Sequence, residues 1–231
     1  EEMPARFLPG LMRQLEDLFV HSLEGMGLGY EGGETFATPR RLVAWIPEIE
    51  PRQRESEEVV AGPPARIAYD EQGGLTRAGT GFAASQGVDQ QDLFVTTTER
   101  GEYLAARVRR GGEETVRLLP GICAEILGKL SFPKKMRWET SGFLFGRPIR
   151  WMAALLDEEV VPVQGASLTA DRWTWGHRVQ GPGPFRIPRA EDYFGIIREQ
   201  GAVILDRDER KERVKREGEE LAREKGGSVV W

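Results

Sequence analysis

Cysteine and histidine are almost missing from this chain of 231 residues: one Cys, Cys123, and two His, His21 and His177. A single thiol excludes an internal disulfide and suits a reducing compartment, here the cytoplasm. One thiol and two imidazoles cannot build a Cys/His zinc site. Nothing points to a carboxylate site either, so no metal ligand is assigned. No run of about 18 apolar residues occurs, which excludes a membrane-spanning helix. The opening "EEMPARF" is charged where a secretory leader would be apolar. There is no initiator Met, and the last residues, "GGSVVW", begin a new apolar run, the pattern expected of a piece of a longer protein. Missing too are a G-x-x-x-x-G-K-[ST] phosphate loop, a G-x-G-x-x-G turn after a strand, and a G-x-S-x-G nucleophile elbow. No catalytic residue is assigned, and no cofactor is expected on this chain.

The apolar pattern organises what remains. Phe7, Leu8, Leu11, Met12, Leu15, Leu18, Phe19 and Leu23 line one face of a helix over about 5–24, stopped by Gly25 and Gly27. A strand is expected near 40–47, a polar connector in "PRQRESEE", and a short strand around 65–69. Thr76 caps a short helix that ends at Gly87. "DLFVTTTERGEYLAARVRR" predicts a hairpin of strands near 93–98 and 102–109. Leu118, Leu119, Ile122, Ile126, Leu127 and Leu130 predict another helix, with Pro120 tolerable only near its first turn. Strands follow near 149–156 and 159–163, a helix at 190–200 and a short buried strand in "AVILD". Asp206 or Asp208 then caps a helix laced with charge of both signs. This mixture predicts an α+β fold, or α/β with a mixed, partly antiparallel sheet. A body over 1–205 is expected, with sub-modules near 1–115 and 116–205, followed by the charged helix of 206–231.

Charge is unevenly spread. The net charge is −5, yet residues 132–151, "FPKKMRWETSGFLFGRPIRW", carry +4 and leave −9 on the rest. Lys134, Lys135, Arg137, Arg147 and Arg150 stand against Glu139 alone. Such stretches brace apolar surface with their stems or bind anions. Nucleic acid is the natural anion where cations alternate with rings, because phosphates meet the cations and splayed bases stack. Arg40 and Arg41, Trp138, and Arg172 with Trp173, Trp175, His177 and Arg178 would extend such a face. Trp138 and Trp151 are expected on one local unit. Cys123, on an apolar helical face, reads as an inert thiol. His21 suits a helix end, and His177 reads as structural or RNA-contacting rather than as a general base.

Seven segments occur in an order that carries a resemblance: "FATPRRL" (36–42), "GPP" (62–64), "GFAASQGV" (81–88), "RGEYL" (100–104), "FPKKMRW" (132–138), "RPIRW" (147–151) and "GHR" (176–178). Together they resemble the N-terminal part of the β subunit of bacterial heterotetrameric glycyl-tRNA synthetase, over essentially the whole chain. Lys135 departs from that pattern, where a small Ser is expected, and Arg100 stands for Lys. The resemblance implies an α2β2 enzyme that charges tRNA(Gly) with glycine, using ATP and Mg2+ at a class II site on the α subunit. It implies tRNA recognition for the β subunit, with an HD-type and an anticodon-binding domain lying beyond Trp231. It also implies a fold similar to the editing-type domain of the phenylalanyl-tRNA synthetase β subunit. Two other roles fit the same chain: an editing-type hydrolase of mischarged tRNA built around His177, or a structural module that docks the α subunit.

Overall fold

Helix α1 (Leu8–Gly25) follows a 3-10 turn at Ala5–Phe7, with Pro9 in the first turn, where its missing N–H would lack a partner in any case. Its end is a Schellman closure. Gly27 takes φ +64°, the Leu28 amide donates to the Leu23 carbonyl at 2.9 Å and the Gly27 amide to Glu24 at 3.0 Å. Leu23 and Leu28 are both buried there. The computed structural model describes residues 2–231.

In chain order there follow β1 (Tyr30–Glu31), β2 (Glu34–Thr38), β3 (Arg41–Trp45), β4 (Glu48–Ile49), β5 (Ser56–Pro64), α2 (Ala65–Ala68), α3 (Arg77–Gln86), β6 (Leu93–Thr98), β7 (Gly101–Arg110) and α4 (Thr115–Lys129). Then come six two-residue strands: β8 (Leu155–Leu156), β9 (Glu159–Val160), β10 (Gln164–Gly165), β11 (Leu168–Thr169), β12 (Trp173–Thr174) and β13 (Phe185–Arg186). Helices α5 (Tyr193–Glu199) and α6 (Arg207–Glu224) close the order. Every strand pairing is antiparallel, in small sheets, so the class is α+β.

The chain forms two units: Glu1–Arg52 together with Glu113–Trp231, and Gln53–Gly112. In the first, α1 packs on α4 and on the β2–β3 hairpin. Leu8, Leu11, Leu15, Leu23, Ile122, Ile126, Phe132 and Phe145 share its core. Leu119, Val161, Val163 and Ala170 make a smaller cluster against the other side of α4. Phe194 of α5 sets its edge against Phe36 and Trp45 of the hairpin, at 5.4 and 5.2 Å between ring centres. The two chain ends that flank the second unit are tied within the first. Arg52 pairs with Glu114 at 2.8 Å, and the Thr115 amide donates to Pro51 at 2.9 Å.

The second unit is a three-stranded sheet, β5–β7–β6, with α2 and α3 packed on it. Thr76 caps α3 by accepting from Ala78 and Gly79, and Gly87 ends it at φ +67°. Here β5 overturns the polar connector. Its charged residues fit an edge strand because they face opposite charges across the ladder, with Glu57 opposite Arg109 and Glu58 within 3.4 Å of Arg110. The short strand expected at 65–69 is instead the single helical turn α2. The Thr76 hydroxyl donates back to Ile67 and Ala68, taking carbonyls that a sheet would have used.

Elsewhere irregular backbone replaces the longer strands expected. The pair at 149–156 and 159–163 shrinks to β8 and β9 around Asp157, at φ +49°. "AVILD" forms no strand: Ala202 sits at φ +52°, and Arg210 takes the carbonyls of Ile204 and Leu205, each at 2.6 Å. A third bond from Arg210 to Ala37 at 3.1 Å fastens α6 to β2. Pro120 lies at the sixth position of α4, beyond the first turn, so one helical bond is forgone there.

Gly176, Gly181 and Gly201 pack backbone on backbone. A Cβ on Gly176 would stand 2.2 Å from the Gly181 oxygen and 2.4 Å from that of Gly201. We expect Gly176→Ala to cost about 1–3 kcal/mol by overpacking. Gly195→Ala on α5, where nothing lies within 4 Å, should leave thermal stability unchanged or slightly raised. Paired thermal melts decide it, and equal melting temperatures for the two variants would contradict this packing.

A candidate nucleic-acid interface

Residues 132–147 form a loop held at its neck. Met136 and Phe145 exchange both backbone hydrogen bonds, at 2.8 and 3.3 Å. Phe132 and Phe145 meet at 4.3 Å, Phe143 stacks near Phe145, and Trp138 sets its edge to Phe143. These rings belong to the main core of the first unit. With the rings turned inward, Lys134, Lys135 and Arg137 are left exposed. None of the three makes an ion pair among the described residues.

The one acid of the loop is engaged elsewhere. The Glu139 carboxylate accepts from the Ser141 amide at 2.7 Å, the Ser141 hydroxyl at 2.5 Å, the Phe143 amide at 3.2 Å and the Ser167 hydroxyl at 2.6 Å. The Ser141 and Ser167 hydroxyls lead in pulling its pKa from 4.5 down to about 2. Arg147 is half-buried and donates to the carbonyl of Gly146 at 2.8 Å. Arg150 is exposed.

A second cluster gathers around Gly176. Arg41, only 8% exposed, donates from Nη2 to the carbonyls of Trp175 at 2.8 Å and Gly176 at 3.5 Å. Half-buried Arg40 donates to Gly176 at 3.3 Å. Both guanidinium groups lie over the Trp151 ring, at 5.9 and 6.0 Å, and Trp151 meets Trp175 at 5.3 Å. Burial pushes the Tyr193 phenol up, while the neighbouring Arg41 charge pulls the other way. Beyond Gly176, the His177 amide donates to Gly201 at 2.6 Å. The His177 Nδ1 accepts from the amides of Val179 at 3.3 Å and Gln180 at 3.1 Å, which shapes an exposed turn bearing Arg178 and Val179.

The ten residues singled out from the sequence thus fall in two neighbourhoods. Lys134, Lys135, Arg137, Trp138 and Arg147 belong to the 132–147 loop. Arg40, Arg41, His177 and Arg178 belong to the segments around Gly176, and exposed Arg150 adjoins Trp151. Trp138 and Trp151 lie in the same unit but in separate aromatic groups. Arg172, grouped with the basic face, spends its guanidinium on the carbonyls of Pro188 at 3.1 Å and Glu158 at 2.8 Å. Tyr193 and Ser167 were not found from the sequence, because only the fold brings a distant phenol and hydroxyl to Arg41 and Glu139. The Cys123 thiol is pushed up to about 11 by burial. Among the described residues, no group of three or more His, Cys, Asp or Glu could hold a metal ion, and no helix is long and apolar enough to cross a membrane.

Fold and site together define an α+β chain with an exposed run of cations that make no ion pair among the described residues. The family model described as glycyl-tRNA synthetase beta subunit matches residues 1–231, and the chain belongs to that family. It is 48% identical over 230 residues to the glycine–tRNA ligase beta subunit of Solidesulfovibrio magneticus, covering 100% of this chain and 33% of that protein. It is 46% identical to the protein of the same name from Nitratidesulfovibrio vulgaris, again over 100% of this chain and 33% of the relative. The counterpart from Moorella thermoacetica is 36% identical, over 99% of this chain and 33% of its own length. The chain therefore spans about a third of the length of these curated relatives.

Glu139 generates a pH prediction. Its depressed pKa means that the bonds to Ser141, Phe143 and Ser167 are intact above about pH 4.5 and fail as pH falls towards 2. The loop lies at the surface and its glutamate is only half-buried, so the effect is local rather than global. The Phe143 and Ser141 amide resonances should titrate in that window, and Glu139→Gln should abolish the titration. Invariant amide shifts from pH 5 to 2 would contradict the hydrogen-bonded carboxylate.

Proposed function

We propose that this chain provides a tRNA-recognition and assembly surface of glycyl-tRNA synthetase. It supports glycylation of tRNA(Gly) in the cytoplasm, with the active site, ATP and Mg2+ held by the α subunit of an α2β2 enzyme. The observation that carries this reading is the exposed Lys134–Lys135–Arg137 run. Three cations stand without an acid partner because Glu139 is held by its own loop. An unneutralised patch of this kind attracts a polyanion, and phosphate contacts give position rather than sequence choice. Membership in the glycyl-tRNA synthetase beta subunit family supports tRNA as that polyanion.

Removal of the three cations one at a time tests it. Each Ala substitution should flatten the log–log salt dependence of tRNA binding by about 0.7–0.9. Glycine and non-glycine tRNAs should be affected alike, and the melting temperature should hold because the side chains are exposed. An unchanged salt slope in all three variants would sink the RNA reading of this loop. Salt-insensitive binding of the α subunit alone would then favour a purely docking role. Deacylation of mischarged tRNA by the chain would instead favour the editing-type reading and the likeness to the phenylalanyl-tRNA synthetase β subunit.

A further inference from the structure

Arg40 and Arg41 are neighbours at the β2–β3 turn, and their guanidinium groups end at one place. Both donate to the Gly176 carbonyl, at 3.3 and 3.5 Å, and both lie within 6.0 Å of the centre of the Trp151 ring. Neither forms an ion pair with Asp or Glu among the described residues. Arg41 is buried, and its Nε and Nη1 are shut from solvent with no acceptor. The Tyr193 phenol hydrogen-bonds to this guanidinium, yet Nε and Nη1 remain without an acceptor.

Two like charges at one spot repel, and more strongly where water is scarce. Carbonyl dipoles and an aromatic face relieve part of that but bring no negative charge. The cluster lacks one anion, and a guanidinium fork matches the oxygens of a phosphate. Half-buried Arg40 is the accessible member. Trp151 and its neighbour Trp175 put aromatic surface next to it, as nucleotide-binding surfaces do.

We propose that Arg40 and Arg41 form a receptor for a single phosphate group, contacted by Arg40 and drawn in by the uncompensated buried charge of Arg41. Arg41 is a positioning residue: it sets the carbonyls and the Trp151 ring against which Arg40 rests. The proposal rests on the RNA reading above, in that the phosphate is one of the tRNA backbone. It places a second, discrete contact away from the exposed lysines.

The test uses the 231-residue chain and inorganic phosphate as the probe. Titration calorimetry should show binding by the parent chain, and the Arg41 Nε–H resonance should shift as phosphate is added. Arg40→Ala should weaken phosphate about tenfold with the melting temperature kept. Arg41→Lys retains the charge but loses the fork, and should weaken phosphate while the tRNA salt slope set by Lys134, Lys135 and Arg137 is kept, a split that general loss of the fold would not produce. tRNA should displace the phosphate. Absence of binding by the parent chain, or equal affinity in Arg40→Ala, would overturn the receptor. Acetate competing as well as phosphate would overturn the assignment of the anion. Should the Lys134, Lys135 and Arg137 variants flatten the tRNA salt slope while Arg40→Ala binds phosphate as the parent does, the RNA reading survives and this receptor falls. A receptor that binds phosphate but is not displaced by tRNA refutes the backbone assignment made here.

Discussion

A guanidinium buried without a carboxylate is the constraint around which the first unit is arranged. Removing a charge from water costs several kcal/mol, and a salt bridge is the usual compensation. Arg41 has none. Its positive charge is met by the carbonyl oxygens of Trp175 and Gly176 and by the face of Trp151. Those groups come from segments more than a hundred residues from Arg41 in sequence. The β2–β3 turn, the Trp151 segment and the 175–176 segment are therefore tied to one point. The glycine contacts behind it keep the tie short. With no Cβ at 176, 181 or 201, the backbones approach closely enough for the His177 amide to reach Gly201. A side chain there would push the Gly176 carbonyl away from both arginines.

Arginine as a donor to carbonyls recurs through this unit, and the reason lies in its backbone. Between α4 and α6 the strands are two residues long, so few carbonyls find a partner in a ladder. Buried carbonyls still require donors. Arg41 serves Trp175 and Gly176, and Arg210 serves Ile204, Leu205 and Ala37; Arg172 does the same at the surface for Glu158 and Pro188. A guanidinium carries five donors in a plane and closes two carbonyls at once from a rigid fork, where a lysine ammonium has three donors on a single atom. Burial lowers the pKa of Arg210, as expected of a cation withdrawn from water in this duty.

Local signals in the sequence map onto local structure. The α1 face, the Thr76 cap with its Gly87 stop, the hairpin around Arg100 and the Asp206 cap each involve residues a few positions apart. Contacts made by distant residues carry no such trace. The charged β5 strand reads as a connector because Arg109 and Arg110, which neutralise it, lie some fifty residues on. The segment after α5 looks apolar enough for a strand, yet an arginine on the next helix takes its carbonyls. In the candidate site, the concentration of cations in 132–151 is legible from charge alone. Which cations stand free is not, since that depends on Glu139 reaching Ser167 and on Arg41 finding Trp175.

The acidic remainder of the chain sharpens what the free cations can do. A net charge of −5 repels a polyanion at long range, and in physiological salt that field fades over about 8 Å. Attraction of a phosphate is therefore confined to close range, beside cations that no acid pairs with. The 132–147 loop carries such cations because its own glutamate, though ionised, is tied into the loop and faces four hydrogen-bond donors instead of the lysines. Were Glu139 free to turn outward, it would pair with Lys135 or Arg137 and occupy their donors. The Ser141 and Ser167 hydroxyls thus act on the patch from beside it: by holding the carboxylate, they keep the three cations unpaired.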